Sequence, residues 1–250
     1  MKPSLHGLRI LNTRPKDQAQ SLNHSIKEAG GIFIDCPTLE IIASSNNWIK
    51  LLPSLHQVHH AVFISPNAVH HGFSQLNEHA RAWPSHINVI AIGQTTAVAL
   101  KKLNIHVHDI PDIPNSEHLL KLVSLQDLKN QTVLLFKGEG GRTLIEECLL
   151  QRKANLISLS VYQRVMPKIG QQFINSLWRD DLVDIILLTS EQSIHNIFKM
   201  FCKEAHNWIQ NKTCLVISDR LATSASLFGI KKIIISHPHR MLSALLEHKD

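Results

Sequence analysis

At 250 residues, 44% hydrophobic and 18% charged, the chain is too apolar for a disordered protein and long enough to bury one large core or two smaller ones. The formal net charge is +6 with 17 histidines counted neutral, which favours anionic partners. The basic residues are scattered, with no arginine-rich tail and no basic stripe interleaved with aromatics, and that argues against nucleic acid. No apolar run approaches the roughly 20 residues that cross a bilayer. The opening MKPSLHGLRILNTRP lacks a secretion signal, so the expectation is no membrane association and a cytoplasmic location.

Residues 8–13 (LRILNT) predict a strand, followed by a helix to about residue 29 that Gly30-Gly31 ends, and IFIDC predicts a second strand. HAVFISPNAVHHGF at 60–73 and NVIAIGQTTAVALKKL at 88–103 repeat the strand-then-helix scheme, and IHVHDI adds a short extended run. Asp109 to Glu117 is proline-rich and irregular until Ser116 caps a predicted helix EHLLKLV. Residues 130–160 read as strand, glycine loop, helix and strand. DIILLTSEQSIHNIF at 184–198, KTCLVISDRLATSASLFGI at 212–230 and the strand IKKIIIS complete the chain.

The second half resembles the first at nearly one offset. Arg14 aligns with Lys137 at 123 residues, and Ser65 with Ser190 and Gly93 with Ser218 at 125. Three segments in one order predict a duplicated architecture, most simply split near residue 125. Strands rich in Val, Ile and Leu between amphipathic helices predict doubly wound parallel sheets. Ligands of such sheets sit beyond the carboxyl ends of the strands, so the strand-to-helix turns hold the informative residues.

Several turns carry two readings each. Ser65-Pro66 is explained by capping alone, whereas Asn67 and the free backbone N–H groups of this turn fit a bound carboxylate or phosphate. Thr189-Ser190 repeats the polar cap, and Glu191 beside it disfavours contact of its own side chain with an anion. Gly93 permits close backbone approach, while Thr95 or Thr96 caps the following helix or donates a hydroxyl. Arg220, two residues after Ser218 and near a helix start, needs a compensating partner such as a bound carboxylate. In the loop Lys137-Gly138-Glu139-Gly140-Gly141-Arg142, Thr143 and Glu146 form a capping box, and the glycines serve a tight turn or an anion site. Tyr162, the sole tyrosine, lies beside Arg164 and is either a packing residue or a neutral phenol able to donate a proton.

The chain lacks a Gly-x-Ser-x-Gly elbow, a GxGxxG loop and a Walker A loop. Cys36, Cys148, Cys202 and Cys214 form no CxxC pair and read as reduced, mostly buried residues. The pairs His59-His60 and His70-His71 have no metal-ligand spacing, so no metal is expected. From the residues alone this is a two-lobed protein that closes on an anionic small molecule, with an anion sensor and a phosphate-ligand enzyme as rival readings.

An ordered set of short motifs then carries a resemblance over nearly the whole chain. These are Asn12-Thr13-Arg14-Pro15, Ser65 to Val69, Ala91 to Thr96, Asn115-Ser116-Glu117 with Leu119-Leu120, Lys137 to Arg142, Val161 to Arg164, Thr189-Ser190, and Ser218-Asp219-Arg220 with Ala225 and Gly229. Together they resemble the uroporphyrinogen-III synthase family. The resemblance implies a cofactor-free, monomeric lyase that cyclises hydroxymethylbilane, a linear tetrapyrrole with eight carboxylates, with inversion of ring D. It implies two similar flavodoxin-like domains joined by a two-strand hinge, with the active-site cleft between them. The domains would exchange segments, 1–37 with 167–250 and 38–166. Tyr162 matches the family tyrosine thought to assist departure of the hydroxyl. Arg14, Ser65, Asn67, Gly93, Thr95, Thr96, Lys137, Gly138, Arg142, Thr189, Ser190, Ser218 and Arg220 would hold the substrate. Lys137 stands where the family commonly has arginine, which keeps the charge and loses the bidentate fork.

Overall fold

The computed structural model describes residues 4–45, 47–79 and 82–248. In chain order the elements are β1 (Arg9–Asn12), α1 (Lys16–Glu28), β2 (Ile32–Asp35), β3 (Glu40–Ala43), β4 (His60–Phe63), α2 (Pro66–Glu78), β5 (Asn88–Ala91), α3 (Gln94–Lys101), α4 (Ser116–Leu119), β6 (Thr132–Gly138) and α5 (Leu144–Gln151). They continue with β7 (Asn155–Val165), α6 (Gln171–Arg179), β8 (Ile185–Leu188), α7 (Glu191–Met200), α8 (Lys203–Asn211), β9 (Thr213–Val216), α9 (Asp219–Leu227), β10 (Lys232–Ile235) and α10 (Met241–Glu247). The chain does not divide near residue 125. One compact unit takes the segments up to Glu40 and from Val165 on, and the other takes Ile41–Arg164. No helix among the described residues is long and apolar enough to cross a membrane.

The first unit is a five-stranded sheet, β2-β1-β8-β9-β10 read from one edge, with all neighbours parallel. In order of appearance within the unit this is the 2-1-3-4-5 arrangement of flavodoxin-like folds. The central strand IILL is buried throughout, as a strand covered on both faces must be. Leu22 and Ile26 of α1 pack with Met241 and Leu245 of α10 on one face. Helices α6 to α9 cover the other, through residues such as Leu177, Ile194, Ile209 and Leu221. At the amino end of the sheet Arg9 ties β1 to the start of β8. Its guanidinium donates to Asp184 Oδ1 at 2.6 Å and its backbone N–H to Oδ2 at 2.7 Å, which holds the Asp184 carboxyl below the usual carboxylate range.

The second unit has the order β3-β7-β6-β4-β5, with the β4–β5, β4–β6 and β6–β7 pairs parallel. Helices α2 and α3 cover one face around a stack of Phe63 on Phe136, whose ring centroids lie 4.4 Å apart. Helix α5 covers the other with Leu119, Leu125 and Leu128. The sequence offset maps onto matching places in the two sheets. The starts of β1 and β6, and of β2 and β7, lie 123 residues apart, and those of β4 and β8, and of β5 and β9, lie 125 apart. Where β10 flanks β9, Asp109 makes a parallel bridge to Ile90 of β5.

The cap after the proline-rich stretch differs from the sequence reading. Asn115, not Ser116, caps α4, its side chain accepting the His118 N–H at 2.8 Å. Past Leu119 the chain leaves the helix, and Arg152 and Gln126 satisfy the carbonyls of Leu120, Leu122 and Leu125. The four cysteines are free, and burial pushes the thiols of Cys36 and Cys214 up to about 12.

Histidines finish the amino end of the second sheet. His59 Nδ1 accepts the Thr132 N–H at 3.0 Å and His108 Nδ1 that of Val89 at 3.0 Å. His60 is buried, its Nδ1 accepting from Asn88 at 3.1 Å and its Nε2 meeting Gln131 Oε1 at 2.5 Å. Burial, with a smaller push from His59, lowers the His60 pKa against the opposing pulls of Gln131 and Asp109. The folded site thus refuses a proton that the unfolded chain accepts near its ordinary value of about 6.5. Stability from this group is full above that pH and is lost as pH falls through it. Denaturant midpoints measured from about pH 7.5 down to about pH 5 are expected to fall, and to fall less in His60→Gln; equal slopes would remove His60 as the cause.

Candidate functional site

Every polar turn singled out in the sequence follows the carboxyl end of a parallel strand in its own unit. In the first unit the turn after β1 is held by a buried polar frame. Thr13 Oγ1 donates to the Leu187 carbonyl at 2.5 Å, Thr38 Oγ1 to the Thr13 carbonyl at 3.2 Å, and Asn196 Nδ2 to the Thr38 carbonyl at 2.6 Å. Asn12 accepts the Arg14 N–H at 3.2 Å and donates to Asn23 at 2.7 Å, so it fixes where half-buried Arg14 leaves the strand. Ser190 caps α7 in a reciprocal box, its Oγ accepting the Ser193 N–H at 3.0 Å while Ser193 Oγ accepts the Ser190 N–H at 3.1 Å. Thr189 is half-buried beside it. Ser218 caps α9 by accepting the Leu221 N–H at 3.3 Å.

Arg220 has its compensating carboxylate within the chain, since Nη1 lies 2.6 Å from Glu191 Oε2. The sequence reading assigned that place to a ligand. Glu191 sits in the first turn of α7, where an acid offsets the unpaired N–H groups, and from there it reaches across to the adjacent turn. Both side chains are exposed, so water competes for this pair and a second carboxylate can exchange with it.

In the second unit Ser65 caps α2, accepting the Ala68 N–H at 3.0 Å, and Asn67 follows half-buried. Gly93 is the backbone cap of α3, and neither threonine caps the helix. A Cβ on Gly93 would lie 2.7 Å from Pro114 Cβ, so glycine is demanded here by the packing of the proline-rich loop. Thr95 is exposed, whereas Thr96 is buried and its hydroxyl meets no protein partner among the described residues.

The expected capping box at Thr143 does not form. Thr143 has helical backbone angles and its hydroxyl donates to Glu147 at 2.5 Å, while Glu146 is drawn to the buried Lys137 as an ion pair. A buried ammonium without a counter-charge costs far more than an empty cap, so the long-range pair wins. Arg142 is exposed and pairs with Glu117 at 3.2 Å.

Tyr162 is only 2% exposed, with its ring in the core beside α2. Its hydroxyl meets Ser65 Oγ at 3.2 Å and Arg164 Nη2 at 3.0 Å, and the His71 ring stacks on it with centroids 5.9 Å apart. The structure thus brings together Tyr162, Ser65, Gly138 and Arg164, the last already placed beside the tyrosine by the sequence, and adds His71, which the sequence missed. Arg164 had a local signal, standing two residues on along the strand. His71 had none, because only the sheet order brings α2 over β7.

Gly138 completes this setting. A Cβ there would lie 2.6 Å from Tyr162 Cζ and 3.0 Å from its hydroxyl oxygen. Gly138→Ala is therefore expected to displace the phenol and to cost about 1–3 kcal/mol of stability through overpacking. Thermal or denaturant unfolding would check this, and an unchanged midpoint would show that the ring moves aside freely.

Among the described residues no group of three or more His, Cys, Asp or Glu side chains could hold a metal ion. Two flavodoxin-like parallel-sheet units, each with polar capped turns and cations at the carboxyl ends of its strands, define an α/β protein suited to a polyanionic small molecule. The sequence model of the family described as uroporphyrinogen-III synthase HemD matches residues 20–246, and the chain belongs to that family. It is 32% identical over 180 residues to the uroporphyrinogen-III synthase of Proteus mirabilis, covering 71% of this chain and 90% of that one. To the enzyme of the same name from Escherichia coli K12 it is 28% identical over 231 residues, covering 91% and 94%. Its fold is similar to the uroporphyrinogen-III synthetase structure of Helicobacter pylori 26695, with a TM-score of 0.62 at 18% identity and coverage of 97% and 98%. It is equally similar to a mutant uroporphyrinogen III synthase from the extreme thermophile Thermus thermophilus, with a TM-score of 0.63 at 14% identity and coverage of 97% and 98%.

Proposed function

We propose that this chain is a cofactor-independent lyase that converts hydroxymethylbilane into uroporphyrinogen III, with inversion of ring D and loss of water, in tetrapyrrole biosynthesis. The observation that carries the proposal is the family match over residues 20–246. The duplicated turns fit the substrate, because a polycarboxylate needs many anion-accepting places and each unit offers the same set. In this reading Arg14, Thr189, Ser190, Ser218 and Arg220 hold carboxylates from the first unit. Ser65, Asn67, Gly93, Thr95, Thr96, Gly138 and Arg142 hold them from the second, while the buried Lys137 keeps its pair with Glu146 and supports the loop. The neighbouring strands β3 and β7 carry the chain across the unit boundaries. The enzyme works as a cytoplasmic monomer.

Tyr162 gives its proton to the departing hydroxyl, which leaves as water while the C–O bond breaks and an azafulvene cation remains. Attack by the substituted carbon of ring D gives a spiro-pyrrolenine, and its rearrangement and closure give the inverted macrocycle. Closure releases a ring proton, which restores the phenol, so the reaction balances with water as the only by-product. The protein's remaining task is to hold the chain of pyrroles in the conformation that leads to inversion.

Incubation with freshly generated hydroxymethylbilane, followed by chromatographic separation of the isomers, is expected to give type III product; type I alone would overturn the assignment. Tyr162→Phe is expected to lower kcat about a hundredfold or more with the fold intact, the usual scale for losing a positioned proton donor. Steady-state kinetics with circular dichroism on the same sample checks it, and an unaltered kcat would remove Tyr162 from the chemistry.

A further inference from the structure

A phenol donates one proton and accepts hydrogen bonds at its oxygen. At Tyr162 two donors face that oxygen. Ser65 Oγ donates at 3.2 Å and Arg164 Nη2 at 3.0 Å, and a guanidinium can only donate. Ser65 is itself fixed, because its oxygen accepts the Ala68 N–H at 3.0 Å as the cap of α2. The ring cannot slide away from these donors. Gly138 backbone lies against its hydroxyl end, the His71 ring stacks on it, and Arg164 Cζ lies 5.3 Å from its centroid. The one hydrogen bond left for this phenol to make is donation of its own proton.

We infer that Arg164 is a positioning residue that, with Ser65, forms a preformed cradle for the phenolate Tyr162 becomes when it gives up its proton. Resting on the reading of Tyr162 as proton donor, the inference assigns that tyrosine's power to its surroundings. When the O–H bond breaks and the proton departs with the leaving hydroxyl, negative charge appears on an oxygen already facing two donors, one of them cationic. Such bonds strengthen when the acceptor becomes charged, and no group has to move to meet the charge. The ring proton released at closure then reprotonates the phenolate and returns the cradle to its starting state.

The single tyrosine of the chain makes this measurable without activity. In the Raman spectrum the tyrosine doublet reports whether the phenol oxygen accepts hydrogen bonds, and here it reads Tyr162 alone. The native protein is expected to show the acceptor pattern, Arg164→Gln to weaken it to what Ser65 alone supports, and Arg164→Lys to keep more of it. In kinetics Arg164→Gln is expected to lower kcat about tenfold with KM changed less than about twofold, and Arg164→Lys to recover part of the loss. In a Tyr162→Phe background Arg164→Gln is expected to add less than about twofold, because the group it acts through is gone. Losses that simply multiply, a fall seen in KM alone, or an unaltered doublet would each overturn the inference. If Tyr162→Phe lowers kcat and Arg164→Gln does not, the cradle falls and the proton donor stands. If Tyr162→Phe leaves kcat unaltered, the donor reading falls and takes the cradle's purpose with it. Arg164 is exposed, so its replacement is expected to leave the unfolding midpoint in place, which calorimetry on the same samples verifies.

Discussion

In a parallel sheet every strand ends on the same side, and the helix that follows begins there with backbone N–H groups that no residue of the helix can satisfy. Both units answer this constraint in the same way. Ser65, Ser190 and Ser218 each turn a side-chain oxygen onto an N–H of the first helical turn, and at Gly93 the cap is backbone alone. One N–H per turn is thereby satisfied while its neighbours still face outward. The opposite edge of each sheet is closed by groups that leave little to a ligand, through Arg9 with Asp184 in one unit and His59, His60 and His108 in the other. A binding edge and a sealed edge follow from strand direction before any special residue is invoked.

The duplication was legible because it lies in local pattern. A serine after an apolar strand and before a helix can be read in a few residues, and the offset of 123–125 residues places the matching strands at matching sheet positions. The repeat pattern did not reveal which unit each segment enters, since β3 and β7 become neighbours across more than a hundred residues, and an exchange of segments was implied only by the family resemblance. Two of the misreadings share a cause. Glu146 leaves the expected cap at Thr143 for Lys137, and Arg152 takes carbonyls just beyond α4. Both times a charged group with a distant partner overrode a local preference worth about 1 kcal/mol.

Tyr162 shows the same limit at the candidate site. Its position in Val-Tyr-Gln-Arg was visible, as was Arg164 beside it, but the 97-residue separation from Ser65 was not. The clearance at Gly138 was equally hidden, because the glycine loop reads as a turn or an anion site rather than as the floor beneath a ring. A glycine chosen for what it lets approach leaves no local trace.

The cations of these turns are already matched: Arg220 by Glu191, Arg142 by Glu117 and Lys137 by Glu146. The first two pairs are exposed and the third is buried, and this decides their roles. A ligand carboxylate that displaces an exposed glutamate exchanges one ion pair for another of the same charge, so each contact alone gives little net affinity. Lys137 cannot make that exchange without exposing Glu146, and its charge serves the loop that carries Gly138. Affinity must then come from many such exchanges made at once, which favours a ligand whose carboxylates are spread over a long frame. The same arithmetic suits a catalyst that selects one folded shape of a flexible substrate. Only the conformation that reaches several turns together is held, and a misfolded chain of the same charge gains too little from any single arginine to compete.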